Sequence, residues 1–126
     1  MQPLLNIDVP DLAHAERFYC DAFGLRPGRR LGGQALELLG AAVPIYLLEQ
    51  LTDSQAAGPA GSVNGRRGYQ RHWMPMHCDL VVDDLEQALA RAIAAGAQAE
   101  GDIRDEAWGR IVQMADACGH GWCLLS

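Results

Sequence analysis

A chain of 126 residues, 49% hydrophobic and 21% charged, can bury one compact core and is too short for two independent ones. Its formal charge of −6, with ten arginines, no lysine and no long basic run, excludes the concentrated positive face that nucleic acid requires; no nucleic-acid partner is expected. No apolar run approaches the roughly 20 residues needed to span a bilayer, and Met1-Gln2-Pro3-Leu4 begins no basic-then-apolar leader, so a soluble, cytoplasmic protein without a membrane partner is expected.

In chain order, Leu4 to Val9 is a short, partly alternating strand that runs into Asp11. The Asp11 carboxylate can accept from the free N–H groups of a first helical turn, and Leu12, Ala15, Phe18, Tyr19 and Ala22 recur at three- and four-residue spacing on one helical face. Gly24 stands where a left-handed residue ends such a helix. Strands are predicted over Arg26–Leu31, Ala35–Leu39 and Val43–Glu49, broken by Gly32-Gly33 and Gly40.

Residues 50–74 form an aperiodic connection around Gly58-Pro59-Ala60-Gly61-Ser62, of the length that serves as a mobile link or a lid. In its tail, Arg66, Arg67 and Arg71 alternate with Tyr69, His72 and Trp73. That mixture suits the mouth of a pocket for an anionic or aromatic ligand; equally, the rings can pack on the sheet or on a partner subunit.

The first layout then recurs. His77 to Val82 is a strand, Asp84 a cap, and Leu85, Ala88, Leu89, Ala92 and Ala95 an apolar helical face stopped by Gly96. Strands are predicted over Ala99–Arg104, Arg110–Ala115 and Trp122–Leu125, with breaks at Asp105-Glu106-Ala107 and at Asp116 to Gly121. A β-α-β-β-β unit written twice defines an α+β fold of one domain over 1–126: module 1 (1–49), connection (50–74) and module 2 (75–126). The four cysteines, Cys20, Cys78, Cys118 and Cys123, lack C-x-x-C spacing and read as reduced thiols, Cys20 and Cys78 in or near the core.

The doubled unit, with Val-x-Asp-Leu before each helix and Phe18-Tyr19 within the first, resembles the glyoxalase/bleomycin-resistance/dioxygenase (vicinal oxygen chelate) superfamily. His77, Asp79, Val82, Asp84, Leu85, Ala88, Arg91, Ala92, Gly96 and Ala97 carry the resemblance in the second half. The ending Asp116-Ala117-Cys118-Gly119-His120-Gly121-Trp122-Cys123-Leu124 is similar to that group's last hairpin. The resemblance implies two βαβββ modules with mixed sheets curled around a cleft, homodimers, and in many members a divalent metal. Its four ligand positions fall here on Leu4, Tyr46, His77 and Cys123. Leucine has no donor and tyrosine is an uncommon ligand for such metals, so no metal and no other cofactor is expected.

Residues two apart on a strand share a face, so a metal-free cleft would be walled by Leu4, Asn6, Tyr46, Leu48, His77, Asp79, Cys123 and Leu125. Binding of a small molecule through Tyr46, His77, Asp79, Cys123, Arg71, Trp73 and Trp108 is the first expectation. The alternative is a lyase, isomerase or dioxygenase-type enzyme in which Asp79 orients His77 as a base. A thiol at Cys123 could be a nucleophile if His77 lowered its pKa; otherwise it is a small apolar wall residue. Trp122, of opposite parity, should face the helices, and His120 in its tight turn is expected to be structural.

Overall fold

Asp11 and Asp84 start the two helices of the computed structural model, which describes residues 1–56, 65–72 and 76–126. Each carboxylate accepts from the backbone N–H three residues on, His14 at 2.8 Å and Gln87 at 2.9 Å. Glu49 adds a second acceptor for the first helix, taking the Leu12 N–H at 2.9 Å. Thus β1 (Leu5–Val9) leads into α1 (Leu12–Phe23), then β2 (Arg26–Leu31), β3 (Ala35–Leu39) and β4 (Ile45–Glu49). The second unit comprises β5 (Cys78–Val81), α2 (Leu85–Ala94), β6 (Gln98–Ala99), β7 (Arg104–Glu106), β8 (Gly109–Ala115) and β9 (Gly121–Leu125).

Each unit builds one mixed sheet. The first has the order β1-β4-β3-β2, with β1 parallel to β4; the second has the order β5-β9-β8-β6, with β5 parallel to β9 and β7 also paired to β8. The sheets are not closed, and among the described residues β1 pairs only with β4 and β5 only with β9. The α+β fold of two βαβββ units is as the sequence predicts.

The helical periodicity translates into burial. Leu12, Ala15, Phe18, Tyr19 and Ala22 are all buried, as are Leu85, Ala88 and Ala92, while Leu89 and Ala95 pack against the same core. Trp122 faces the helices as its parity requires, its ring edge-on to Tyr19 and Phe23. Both units thereby share one core. Asp116 is its polar hinge: buried, it accepts from the Tyr19 hydroxyl, from Trp122 Nε1 at 3.2 Å, and from the N–H groups of Cys118 (2.8 Å) and His120 (2.9 Å).

Several boundaries differ from expectation. The strand predicted over Ala99–Arg104 is two short strands, β6 and β7, and the expected break at Asp105-Glu106 is β-paired; the turn falls at Ala107-Trp108. Charged residues are tolerated in β7 because it is exposed throughout. The fourth strand starts at Ile45, two residues after Val43. Helix α1 ends on a left-handed Gly24, but α2 ends on Ala95 in right-handed geometry, the positive φ coming one residue later at Gly96. Among the described residues, no helix is long and apolar enough to cross a membrane.

Candidate functional site

The tail of the connection is tied down at both ends. Gln55 and Arg66 form an antiparallel bridge, with N–H to carbonyl bonds Asp53–Arg67 (2.9 Å), Arg67–Ser54 (2.9 Å) and Ala56–Gly65 (3.0 Å). The Arg67 guanidinium reaches Asp8 in β1 at 2.8 Å, and the Tyr69 hydroxyl donates to the Gln50 carbonyl at 2.7 Å. Residues 65–72 thus form a strap rather than a free loop; the glycine-proline stretch 58–62 lies outside the described residues.

The strap crosses the turn between β8 and β9, and two glycines there let it lie flat. A Cβ on Gly119 (φ 85°) would stand 2.7 Å from the Tyr69 and Gln70 carbonyl oxygens, and one on Gly121 would stand 2.8 Å from the Arg71 guanidinium. Beneath the strap is a cavity of about 550 Å³, bounded by β1 (Leu5 to Asp8), by Cys78, and by Gly121 and Trp122. Tyr69 and His72 each meet the His120 ring edge-on, with centroids 6.1 and 5.2 Å away. His120 Nε2 lies 2.8 Å from the Asp8 carbonyl, which only accepts, so that nitrogen carries the proton. By the same logic His72 Nδ1, 3.0 Å from the Gln70 carbonyl, is protonated, which in the neutral ring leaves Nε2 as an acceptor.

A second cavity of about 170 Å³ shares Cys78, Gly121 and Trp122 with the first and brings together Arg71, His77 and Cys123. Asp79 pairs with Cys123 in the β5–β9 register. Burial, and then the Asp79 charge and hydrogen bond, push the Cys123 thiol upward, so it is a protonated wall residue and not an activated nucleophile. His77 and Asp79 are both exposed, and no hydrogen bond joins them. Arg71 is forked onto Glu100, Nη2 to Oε2 at 3.1 Å, and this carboxylate raises its pKa.

Other expected residues stand apart. Tyr46 lies in β4 beside Glu37; its hydroxyl donates to Glu37 Oε1 (2.9 Å) and accepts from Arg29 Nη2 (2.8 Å). The Arg29 side chain and N–H, with Tyr46, hold the Glu37 carboxyl down at about 2. Trp108, 66% exposed at the β7–β8 turn, borders neither cavity, contrary to a place at the mouth of the cleft: with β7 paired, it sits at a hairpin tip. Trp73 lies outside the described residues.

The donor set does not fit the metal that the resemblance implies. Leu4 is exposed ahead of β1 and offers no donor atom, Tyr46 is engaged by a guanidinium, and Cys123 is held protonated. Among the described residues, no group of three or more His, Cys, Asp or Glu side chains could hold a metal ion. Asn6 came from strand parity, but the role of Asp8 and the meeting of Tyr69, His72 and His120 at one cavity did not. The legible signal for the latter was the pair of glycines flanking His120, which marks a surface approached closely by another backbone.

Two βαβββ units with mixed sheets sharing one core define the vicinal oxygen chelate architecture. The chain belongs to the glyoxalase-like domain family of that superfamily, whose sequence model matches residues 5–125. It is 29% identical over 131 residues to the uncharacterized protein Mb0911c of Mycobacterium bovis, covering 98% of this chain and 83% of that one. Among solved structures, the fosfomycin resistance protein FosX of Listeria monocytogenes superposes with a TM-score of 0.72 at 18% identity (99% of this chain, 91% of that one). TioX of Micromonospora sp. ML1 gives 0.71 at 18% (99% and 97%), and a glyoxalase-related enzyme of Fulvimarina pelagi 0.70 at 20% (99% and 88%). At these identities the likeness is one of fold.

Proposed function

We propose that this chain binds a small organic molecule in the cavity beneath the 65–72 strap, without the metal ion used by other members of the superfamily. The observation that carries the reading is the cavity: about 550 Å³, walled by Leu5, Ile7, Cys78 and Trp122, with the polar groups of Asn6, Asp8, His72 and His120 converging on it. Small-molecule sites are a few hundred Å³, mostly apolar, with a few polar groups that fix orientation. The adjoining recess at Arg71, His77 and Cys123, with Asp79 beside the thiol, would take a polar substituent of the ligand. Catalysis by a His77–Asp79 pair would require the imidazole to be oriented by a bond that these two side chains do not make here.

The same reading makes the protein a cytoplasmic homodimer. Four unpaired thiols suit a reducing compartment, and Val81, 83% exposed on edge strand β5, is apolar surface that a second copy would cover. The test is elemental mass spectrometry of the untagged protein, as purified and after adding Zn, Ni, Mn or Fe, together with NMR screening of small aromatic and aliphatic compounds. The expected result is no stoichiometric metal and ligand-induced shifts at Tyr69, His72, His120 and Trp122. A stoichiometric metal lost in His77→Ala, or turnover lost in that variant, would overturn the reading.

A further inference from the structure

Resting on that reading, we infer that the cavity selects a planar aromatic ligand bearing one negative charge, with Arg66 as its counter-ion. Among the cavity's fixed charges, Arg67 is neutralised by Asp8 at 2.8 Å. Arg66 borders the same cavity and is exposed; it donates to the Asp53 backbone carbonyl at 2.7 Å and forms no ion pair. No carboxylate occurs in residues 57–64 or 73–75, so the stretches outside the described residues hold no acidic partner for it.

The lining therefore carries one unbalanced positive charge in a chain whose formal charge is −6. A cation at a cavity mouth with low-dielectric walls focuses its field on an incoming anion, and a guanidinium can grip a carboxylate with two parallel hydrogen bonds. The remaining walls favour a flat ring: the phenol of Tyr69 and the imidazoles of His72 and His120 offer aromatic surface and edges, with Leu5 and Ile7 closing the apolar side. A cationic ligand would meet Arg66 at the mouth, and a dianion would find only one counter-charge.

The experiment is titration of the full chain with benzoate and 1-naphthoate and with the matching neutral amides, followed by backbone amide shifts at Gly68, Tyr69, His72 and Gly121. Arg66→Gln and Arg66→Lys are titrated alongside; the side chain is exposed, so both variants should fold. Expected are tighter binding of the carboxylates than of their amides, about tenfold weaker carboxylate binding in Arg66→Gln with amide binding unchanged, and partial recovery in Arg66→Lys. Equal binding of acid and amide, indifferent to Arg66→Gln, would overturn the anion preference while leaving the binding cavity standing. No shift at those amides with any of the four compounds would overturn both.

Discussion

Asp116 concentrates more of the fold on one side chain than any other polar residue described. Its two oxygens take four donors, from α1, from β9 and from the turn between β8 and β9. Removing the carboxylate leaves several buried donors unsatisfied, each worth about 1–3 kcal/mol. Asp116→Ala should therefore cost on the order of 3 kcal/mol or more, read as a lower urea midpoint; an unchanged midpoint would remove the hinge role. Burial first, and the Asp116 charge second, raise the Tyr19 phenol well above its ordinary value, so it remains a donor across the accessible pH range. Glu37 works in the opposite direction. Its carboxyl falls from 4.5 to about 2 on folding, so its stabilising contribution is complete above pH 4.5 and is lost as pH falls toward 2. Glu37→Gln should flatten the stability-against-pH curve in that window; because Arg29 is exposed, the change should be small. An undiminished slope would mean that other carboxylates carry it.

The strap and the hairpin turn it crosses behave as one element. At Gly121 an added methyl would meet the far end of the flexible Arg71 side chain, which can swing aside. At Gly119 it would meet strap backbone, at a φ of 85° that an L side chain rarely adopts, so the strap itself must lift. Gly119→Ala should accelerate hydrogen exchange at Arg67 and Asp53, whose N–H groups tie the strap to its neighbour, and weaken any ligand held in the cavity, with the two sheets intact. Gly121→Ala should do so much less. Equal effects of the two substitutions, or none, would show that the strap is not held by close approach to this turn.

At the scale of the molecule, the exposed apolar Val81 at the end of β5, away from the cavity, makes a second copy the expected partner, so light scattering at micromolar concentration should report a dimer. A monomer would sink that expectation. The repeat, the caps at Asp11 and Asp84, the buried faces of both helices and the inward turn of Trp122 were all legible in the chain. They depend on local periodicity, on capping chemistry and on strand parity, which neighbouring residues decide among themselves. That leucine at position 4 offers no donor to the ligand set implied by the resemblance is a matter of side-chain chemistry, visible without the structure. What the tertiary structure decided is who meets whom across distance. Tyr46 in β4 is engaged by Arg29 from the bulged strand β2, across β3, Trp108 sits at a hairpin tip because β7 is paired, and Asp8, Tyr69, His72 and His120 converge from three separate stretches of chain. Beyond the glycines that flank His120, no period or spacing in the sequence encodes such meetings. They follow from how two sheets and a strap pack on one shared core, where a contact spanning 112 residues, from His120 to Asp8, is as short as one within a turn.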